Sequence, residues 1–143
     1  MATKTPIVSG YAANWPRVVF DQIDSGRMWE ETRDTLEKPG VYILYQDGVP
    51  YYVGKAANKM YTRLWQHASN PRSRHYSDHL WNSFSFFVVQ DCDQRNKVEA
   101  ILIAAMSPKA NRARPRLPRV KRPKYVVKMQ RDIRRTQANP PPK

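Results

Sequence analysis

The sequence predicts an α+β fold, a small and mostly antiparallel three-stranded sheet flanked by helices. Three observations predict it. Val41-Tyr42-Ile43-Leu44-Tyr45 and Val49 to Val53 are short apolar runs rich in β-branched and aromatic residues, joined by the hairpin pair Asp47-Gly48. Stretches near 59–69 and 94–106 repeat apolar residues at helical spacing. Between them, Phe84 to Val89 has strand length and is apolar from Phe86 onward.

Residues 1–15 show no periodicity and read as an irregular arm. Pro16 to Ile23 fits a strand or the start of a helix. Asp24-Ser25 offers an N-cap for a helix to about Glu37, whose sparse apolar residues Met28, Trp29 and Leu36 put it on the surface. Pro39-Gly40 breaks it. The first strand follows, then the turn, then a second strand that Gly54 ends. Asn58 or Lys59 opens a helix through about Ser69, with Met60, Leu64 and Ala68 as its buried stripe and Arg63 and His67 together on a neighbouring face. Asn70-Pro71 stops it. Residues 71–80 form a polar loop containing Arg72, Arg74, His75 and His79. The run ending at Val89 reads as a strand covered on both faces. Asp93 caps a helix from about Gln94 to Met106, with Val98, Ile101, Leu102 and Ala105 inward and Glu99 at the edge of that stripe. Ser107-Pro108 ends it. Asn111 to Lys124 mixes prolines with arginines and reads as extended or irregular. Lys124 to Gln137 fits a basic helix with a partial stripe of Tyr125, Val126, Met129 and Ile133, and the last residues fray. The chain thus divides into an N-terminal extension with a helix (1–38), a core (39–112) and a basic Pro/Arg-rich tail (113–143).

The chain of 143 residues is long enough to bury a core without staples. Cys92 is its one cysteine, which excludes a disulfide framework and a cysteine-based zinc site and fits a cytoplasmic location. No apolar run reaches membrane-spanning length, and the N-terminus lacks the apolar stretch of a secretory signal. The formal charge of +13 is uneven: residues 1–108 hold 12 Lys/Arg against 11 Asp/Glu, whereas residues 109–143 hold 13 Lys/Arg against Asp132 alone. Such a polycation is drawn to nucleic acid or to an anionic membrane surface. Taken singly, its bland reading is a solubilising tail.

The candidate chemical residues are individually ambiguous. Strand tyrosines such as Tyr42 and Tyr52 are usually packing residues. Lys55 puts a cation near Tyr52, which favours the phenolate. Arg63 can grip two phosphate oxygens and His67 can move a proton near neutral pH, although an exposed pair is the commoner outcome. Glu99 at the edge of an apolar stripe is costly to desolvate unless paired or metal-bound, and a Glu is usually just solvated. A lone carboxylate is a poor divalent-metal site, but Mg²⁺ keeps most of its waters and accepts one or two protein oxygens plus substrate phosphate.

Their order is more informative than any one of them. Gly40-Val41-Tyr42, then Tyr52-Val53-Gly54-Lys55, then Arg63 with His67, then Glu99 and Asn111 resembles the GIY-YIG nuclease superfamily over about residues 39–112. Val stands for Ile in both triplets, a conservative packing change. Residues 1–38 and the tail lie outside the resemblance. Tyr52-Val53-Gly54-Lys55-Ala56 is most similar to the nuclease module of bacterial excision repair. The resemblance implies phosphodiester hydrolysis in DNA by a one-metal mechanism. Glu99 would ligate Mg²⁺ or Mn²⁺, Tyr42 would act as general base, and Tyr52 would orient the water or phosphate. Arg63 would hold the scissile phosphate, His67 and Lys55 would assist Tyr42, and Asn111 would support the site. Arg112, Arg114, Arg116, Arg119, Lys121, Arg122 and Lys124 would follow the DNA backbone. A restriction-type enzyme would be a dimer. The alternative is a catalytically inactive nucleic-acid-binding protein that keeps the fold. A membrane- or ribosome-associated role rests on charge alone, and the apolar face at 124–137 is too weak to favour a membrane.

Overall fold

A computed structural model of the chain describes residues 5–20 and 27–142, with side chains omitted at 27–29. The proposed cap Asp24-Ser25 and residues 21–23 lie outside the described residues. Four strands and four helices are described: β1 (Gly10–Pro16), α1 (Arg27–Leu36), β2 (Gly40–Gln46), β3 (Val49–Ala56), α2 (Met60–Ser69), β4 (Ser83–Val88), α3 (Cys92–Met106) and α4 (Lys124–Ala138), with a 3-10 turn at Arg17–Phe20. The sheet runs β1-β4-β2-β3 and every pairing is antiparallel.

The expected three-stranded sheet therefore has four strands, and the supposed irregular arm supplies the fourth. β1 pairs with β4 from Gly10 opposite Val88 to Pro16 opposite Ser83, with a register break between Ala12 and Trp15. Asn14 inside the break has φ of 58°, which Asn tolerates better than most residues. That interruption, on an edge strand burying few side chains, erases the alternation by which a strand is read.

β2 and β3 form the hairpin. Asp47 and Gly48 both take positive φ, 49° and 80°, as the tight turn between twisted strands requires. β3 does not end at Gly54 but continues to Ala56. Leu44 faces Tyr52 while Tyr45 faces Pro50, leaving Tyr51 as the extra residue of a bulge. Beyond it alternation is regular. Tyr42 and Leu44 join Met60, Leu64 and Phe84 in the core on the α2 side of the sheet. Val41, Ile43 and Val53 pack under Val98, Leu102, Ile103 and Met106 on the α3 side.

α2 buries the expected stripe of Met60, Leu64 and Ala68. α1 is less superficial than expected, because Leu36 is completely buried. β4, lying between β1 and β2, carries Phe84, Phe86, Phe87 and Val88, and its buried Ser85 hydroxyl accepts from the Asn14 N–H at 3.1 Å. α3 starts earlier than expected and is capped by Asp91, not Asp93: the Gln94 N–H donates to Asp91 Oδ2 at 2.8 Å. Its inward face is also rotated from the expected one. Ile101 is 55% exposed and Ala105 is exposed, while Ile103 and Met106 turn inward. The rotation keeps Glu99 turned partly toward the protein.

The loop from Asn70 to Asn82 has little secondary structure and is held by a buried guanidinium. Arg17 Nη1 donates to the Ser77 carbonyl at 3.0 Å, and Nη2 donates to the carbonyls of Ala68, at 3.0 Å, and of Tyr76. Its plane also lies over the Trp81 ring, 4.5 Å from the centroid. After α3 the chain crosses the free edge of β3. The Ala110 N–H donates to the Tyr51 carbonyl, and Asn111 accepts from the Val53 N–H at 2.8 Å and donates to the Val53 carbonyl at 2.9 Å. α4 buries no residue, and Tyr125, Met129 and Ile133 are exposed. No helix among the described residues is long and apolar enough to cross a membrane.

Candidate active site

The Tyr42 ring is placed by two glycines. Tyr42 lies opposite Gly54, and a Cβ added at Gly54 would collide with the phenol oxygen and ring. A Cβ at Gly40 would strike the Phe87 carbonyl and Met60, closing off the approach of β4 and α2. Both glycines are needed for close backbone approach rather than for unusual torsions.

Tyr42 Oη lies 2.8 Å from His67 Nε2, one helical element away on α2. The other ring nitrogen, Nδ1, is 3.1 Å from Ser73 Oγ, which also accepts from the His75 backbone N–H. Tyr52 lies beside this pair, its ring centroid 6.3 Å from Tyr42 and 5.7 Å from His67. Burial drives the Tyr42 phenol well above its ordinary range, Tyr52 and Glu99 push the same way, and Arg63 opposes them. Tyr52 is raised for the same first reason, with Glu99 adding to it. Burial, aided by His75 and by Arg63, lowers His67 to about 4. At neutral pH the pair is thus a neutral phenol against a neutral imidazole, and the site carries no standing phenolate.

The carboxylate belongs to the same electrostatic unit, since Glu99 acts on both phenols. Its side chain is 22% exposed, with Lys55 Nζ 3.5 Å from Oε1. Lys55 also donates to Asn96 Oδ1 at 2.7 Å. Among the described residues no group of three or more His, Cys, Asp or Glu is arranged to hold a metal. The donor set therefore does not fit zinc, but one accessible carboxylate beside an amide fits a hard ion that keeps most of its waters. Arg63 is exposed on α2, close enough to act on Tyr42, Tyr52 and His67.

Asn111 is part of the site only indirectly. Both ends of its amide grip Val53, midway between Tyr52 and Gly54. Of the tail residues, Arg114 and Arg116 line a cleft of about 360 Å³ that also contains Glu99 and Lys55. Arg112 lines a different cleft with Tyr51 and His75. Arg119, Lys121 and Lys124 are exposed away from both, and Arg122 donates to Gln130 of α4.

Four residues near the site carried no usable signal in the sequence. His75 is buried, with Nδ1 3.1 Å from Tyr51 Oη and its ring 4.3 Å from that of Tyr52. Ser73 and Arg74 come from the same irregular loop. Tyr51 is there because of the bulge, which turns two consecutive tyrosines to one face. His79, the other unplaced histidine, is exposed and distant in role.

The family model for the GIY-YIG catalytic domain matches residues 38–111. Similar solved structures are crystal structures of the GIY-YIG N-terminal endonuclease domain of UvrC from Thermotoga maritima. A tyrosine-to-phenylalanine variant bound to its catalytic divalent cation is 31% identical, the match covering 59% of this chain and 98% of that one at a TM-score of 0.48. The form bound to magnesium is 32% identical, covering 57% and 97% at a TM-score of 0.47. No curated protein matches the sequence.

Proposed function

The chain belongs to the GIY-YIG family, its catalytic domain spanning residues 38–111, and on that premise we propose that it is a divalent-metal-dependent endonuclease that hydrolyses phosphodiester bonds in DNA. The observation that carries the reading is the 2.8 Å contact of Tyr42 Oη with His67 Nε2 in a site whose phenols also feel Glu99 and Arg63. Phenol, imidazole, carboxylate and guanidinium are the groups that water activation and phosphate charge demand. The cation named for the magnesium-bound UvrC domain is the natural choice here, held by Glu99 and waters.

When bound, the ion supplies Lewis-acid polarisation of the phosphate and stabilises the leaving oxygen. The protein side chains do the rest. Tyr42 takes the proton of the attacking water while passing its own to His67 Nε2. His67 is available for this because it is neutral, and donation from its Nδ1 to Ser73 Oγ would leave the Nε2 lone pair facing the phenol. The transfer is concerted with attack, since burial disfavours a free phenolate. Tyr52 orients the water or the phosphate. Arg63 binds the phosphate oxygens and offsets their growing charge. Lys55, 3.5 Å from the carboxylate and hydrogen-bonded to Asn96, positions Glu99. Asn111 keeps the β3 edge straight under Tyr52 and Lys55. The tail cations from Arg112 to Lys124 contact the DNA backbone and supply salt-sensitive affinity without sequence choice.

Nicking of plasmid DNA with Mg²⁺, with excess chelator, and with the Glu99→Ala variant tests the reading. The expected outcome is cutting only with the metal, a loss of at least ~100-fold in the variant, and DNA binding retained by it. Equal cutting by the variant, or full activity in chelator, rules the mechanism out. Binding without cutting under every metal condition favours the inactive nucleic-acid-binding protein instead.

A further inference from the structure

A second cleft lies beside His75, the imidazole that neighbours both Tyr52 and His67. It has a volume of about 360 Å³ and is lined by Tyr51, His75 and Leu80 together with Arg74, Lys109 and Arg112. No acidic residue lines it. None of the three cations is in an ion pair within the described residues. Unpaired cations gathered around one cleft without a compensating acid make a site for an anion.

The cleft is also built from fixed parts. Arg74 and His75 stand on the loop that the buried Arg17 ties to α2 through the carbonyls of Ala68, Tyr76 and Ser77. Lys109 and Arg112 flank the two residues that hydrogen-bond to the β3 edge at Tyr51 and Val53. The Tyr51 hydroxyl reaches the cleft because the β3 bulge sends it to the same face as Tyr52. There it meets His75 Nδ1 at 3.1 Å. Burial and Arg74 keep His75 on the neutral side, so it offers polar contact without adding charge to the cluster. Backbone positions fixed before the ligand arrives need no reordering on binding, so only the exposed side chains of the three cations lose freedom there.

Its position relative to the chemistry is equally specific. The His75 ring lies 4.3 Å from that of Tyr52 and 5.0 Å from that of His67, centroid to centroid. One imidazole therefore borders both the catalytic pair and the cationic cleft. We propose that this cleft is a flanking phosphate subsite, in which Arg74, Lys109 and Arg112 hold a backbone phosphate of the strand whose neighbouring phosphodiester lies at Tyr42. The assignment of the occupant to a DNA strand rests on the endonuclease reading; the anion chemistry does not. The subsite fixes which way the strand runs across Tyr52, and it gives the 71–80 loop and the chain after α3 a shared task.

The test uses the full chain and exposed residues, so folding is not at stake. Wild type and the R74Q/K109Q variant are compared for binding to a short DNA duplex in excess chelator over a salt series. The His75 imidazole resonances are followed by NMR as duplex and, separately, inorganic phosphate are added. The expected result is roughly tenfold weaker binding by the variant and a salt slope shallower by about 1. A His75 shift on adding duplex is expected in wild type and lost in the variant, with Arg74→Lys recovering most of the slope. Equal affinity and slope in the two proteins, or a His75 resonance unmoved at saturating duplex, overturns the subsite. A response to inorganic phosphate with none to duplex also overturns it. The parent reading fails separately: a wild type that shows the His75 shift with duplex but cuts no plasmid in Mg²⁺ is not an endonuclease, yet keeps the subsite.

Discussion

The imidazoles of His67, half-buried, and His75, buried, link the candidate site to stability. His67 is lowered to about 4 and His75 is lowered too, burial being the first cause in both. The unfolded chain holds histidine near ~6.5, so between these values it binds more protons than the folded one. Stability from these groups is complete above the unfolded value and is lost as pH falls toward the folded one. For His67 alone the loss from about pH 7.5 to about pH 5 amounts to about 2 kcal/mol. Urea unfolding at the two pH values measures it, and His67→Gln should flatten the dependence. An equally steep fall in that variant would mean that the carboxylates, not His67, set it. The residues of this site were legible to different degrees for physical reasons. Tyr42, Gly54, Arg63 and Glu99 stand in regular elements, where spacing reports a face. His75 and Ser73 stand in a loop whose path depends on Arg17, a residue more than fifty positions away in sequence, and no local pattern encodes that.

At the scale of elements, β3 carries Tyr52 and Lys55 yet is an edge strand with only β2 beside it. Its outer edge is covered by two residues after α3 instead of by a fifth strand. Asn111 does most of this, satisfying both polar groups of Val53 as a paired strand would. Asn111→Ala should cost about 1–2 kcal/mol, speed amide exchange at Val53, and lower the rate of DNA cutting through Tyr52 and Lys55. Hydrogen exchange read at single residues checks this, and unchanged protection of Val53 would refute it. The helix assignments illustrate where pattern reading falters. α2 has one unambiguous stripe, so its buried face was evident. α3 is apolar nearly all round between Val98 and Met106, so several faces are equally plausible and only the position of Val41, Ile43 and Val53 selects among them. β1 shows no alternation in the sequence because its register break hides it, and its partner β4 is some seventy residues away.

For the molecule as a whole, charge and fold separate along the chain. The body is nearly neutral and packs on both faces of one sheet, whereas most of the tail cations lie on exposed chain and on α4, which buries nothing. The Asn111 clamp sets where the two can be divided. A chain ending at Pro108 would lose the cover of the β3 edge, but one ending after Arg112 keeps it. Truncation after Arg112 should leave the thermal midpoint nearly unchanged, weaken DNA binding, and reduce the salt slope by about 0.9 for each phosphate contact removed. Identical slopes in the full and truncated chains would show that the tail does not touch the backbone.

The sequence by itself determined the hairpin, the two core helices, the ordered set from Tyr42 to Asn111 and the polycationic tail, because each is written in short-range spacing or composition. The tertiary structure alone decided the fourth strand, the inward face of α3, the partnership of Tyr42 with His67, and the second cleft beside His75. These depend on contacts between segments far apart in the chain, on one bulge that reverses the side of Tyr51, and on one buried arginine that gives a loop its shape.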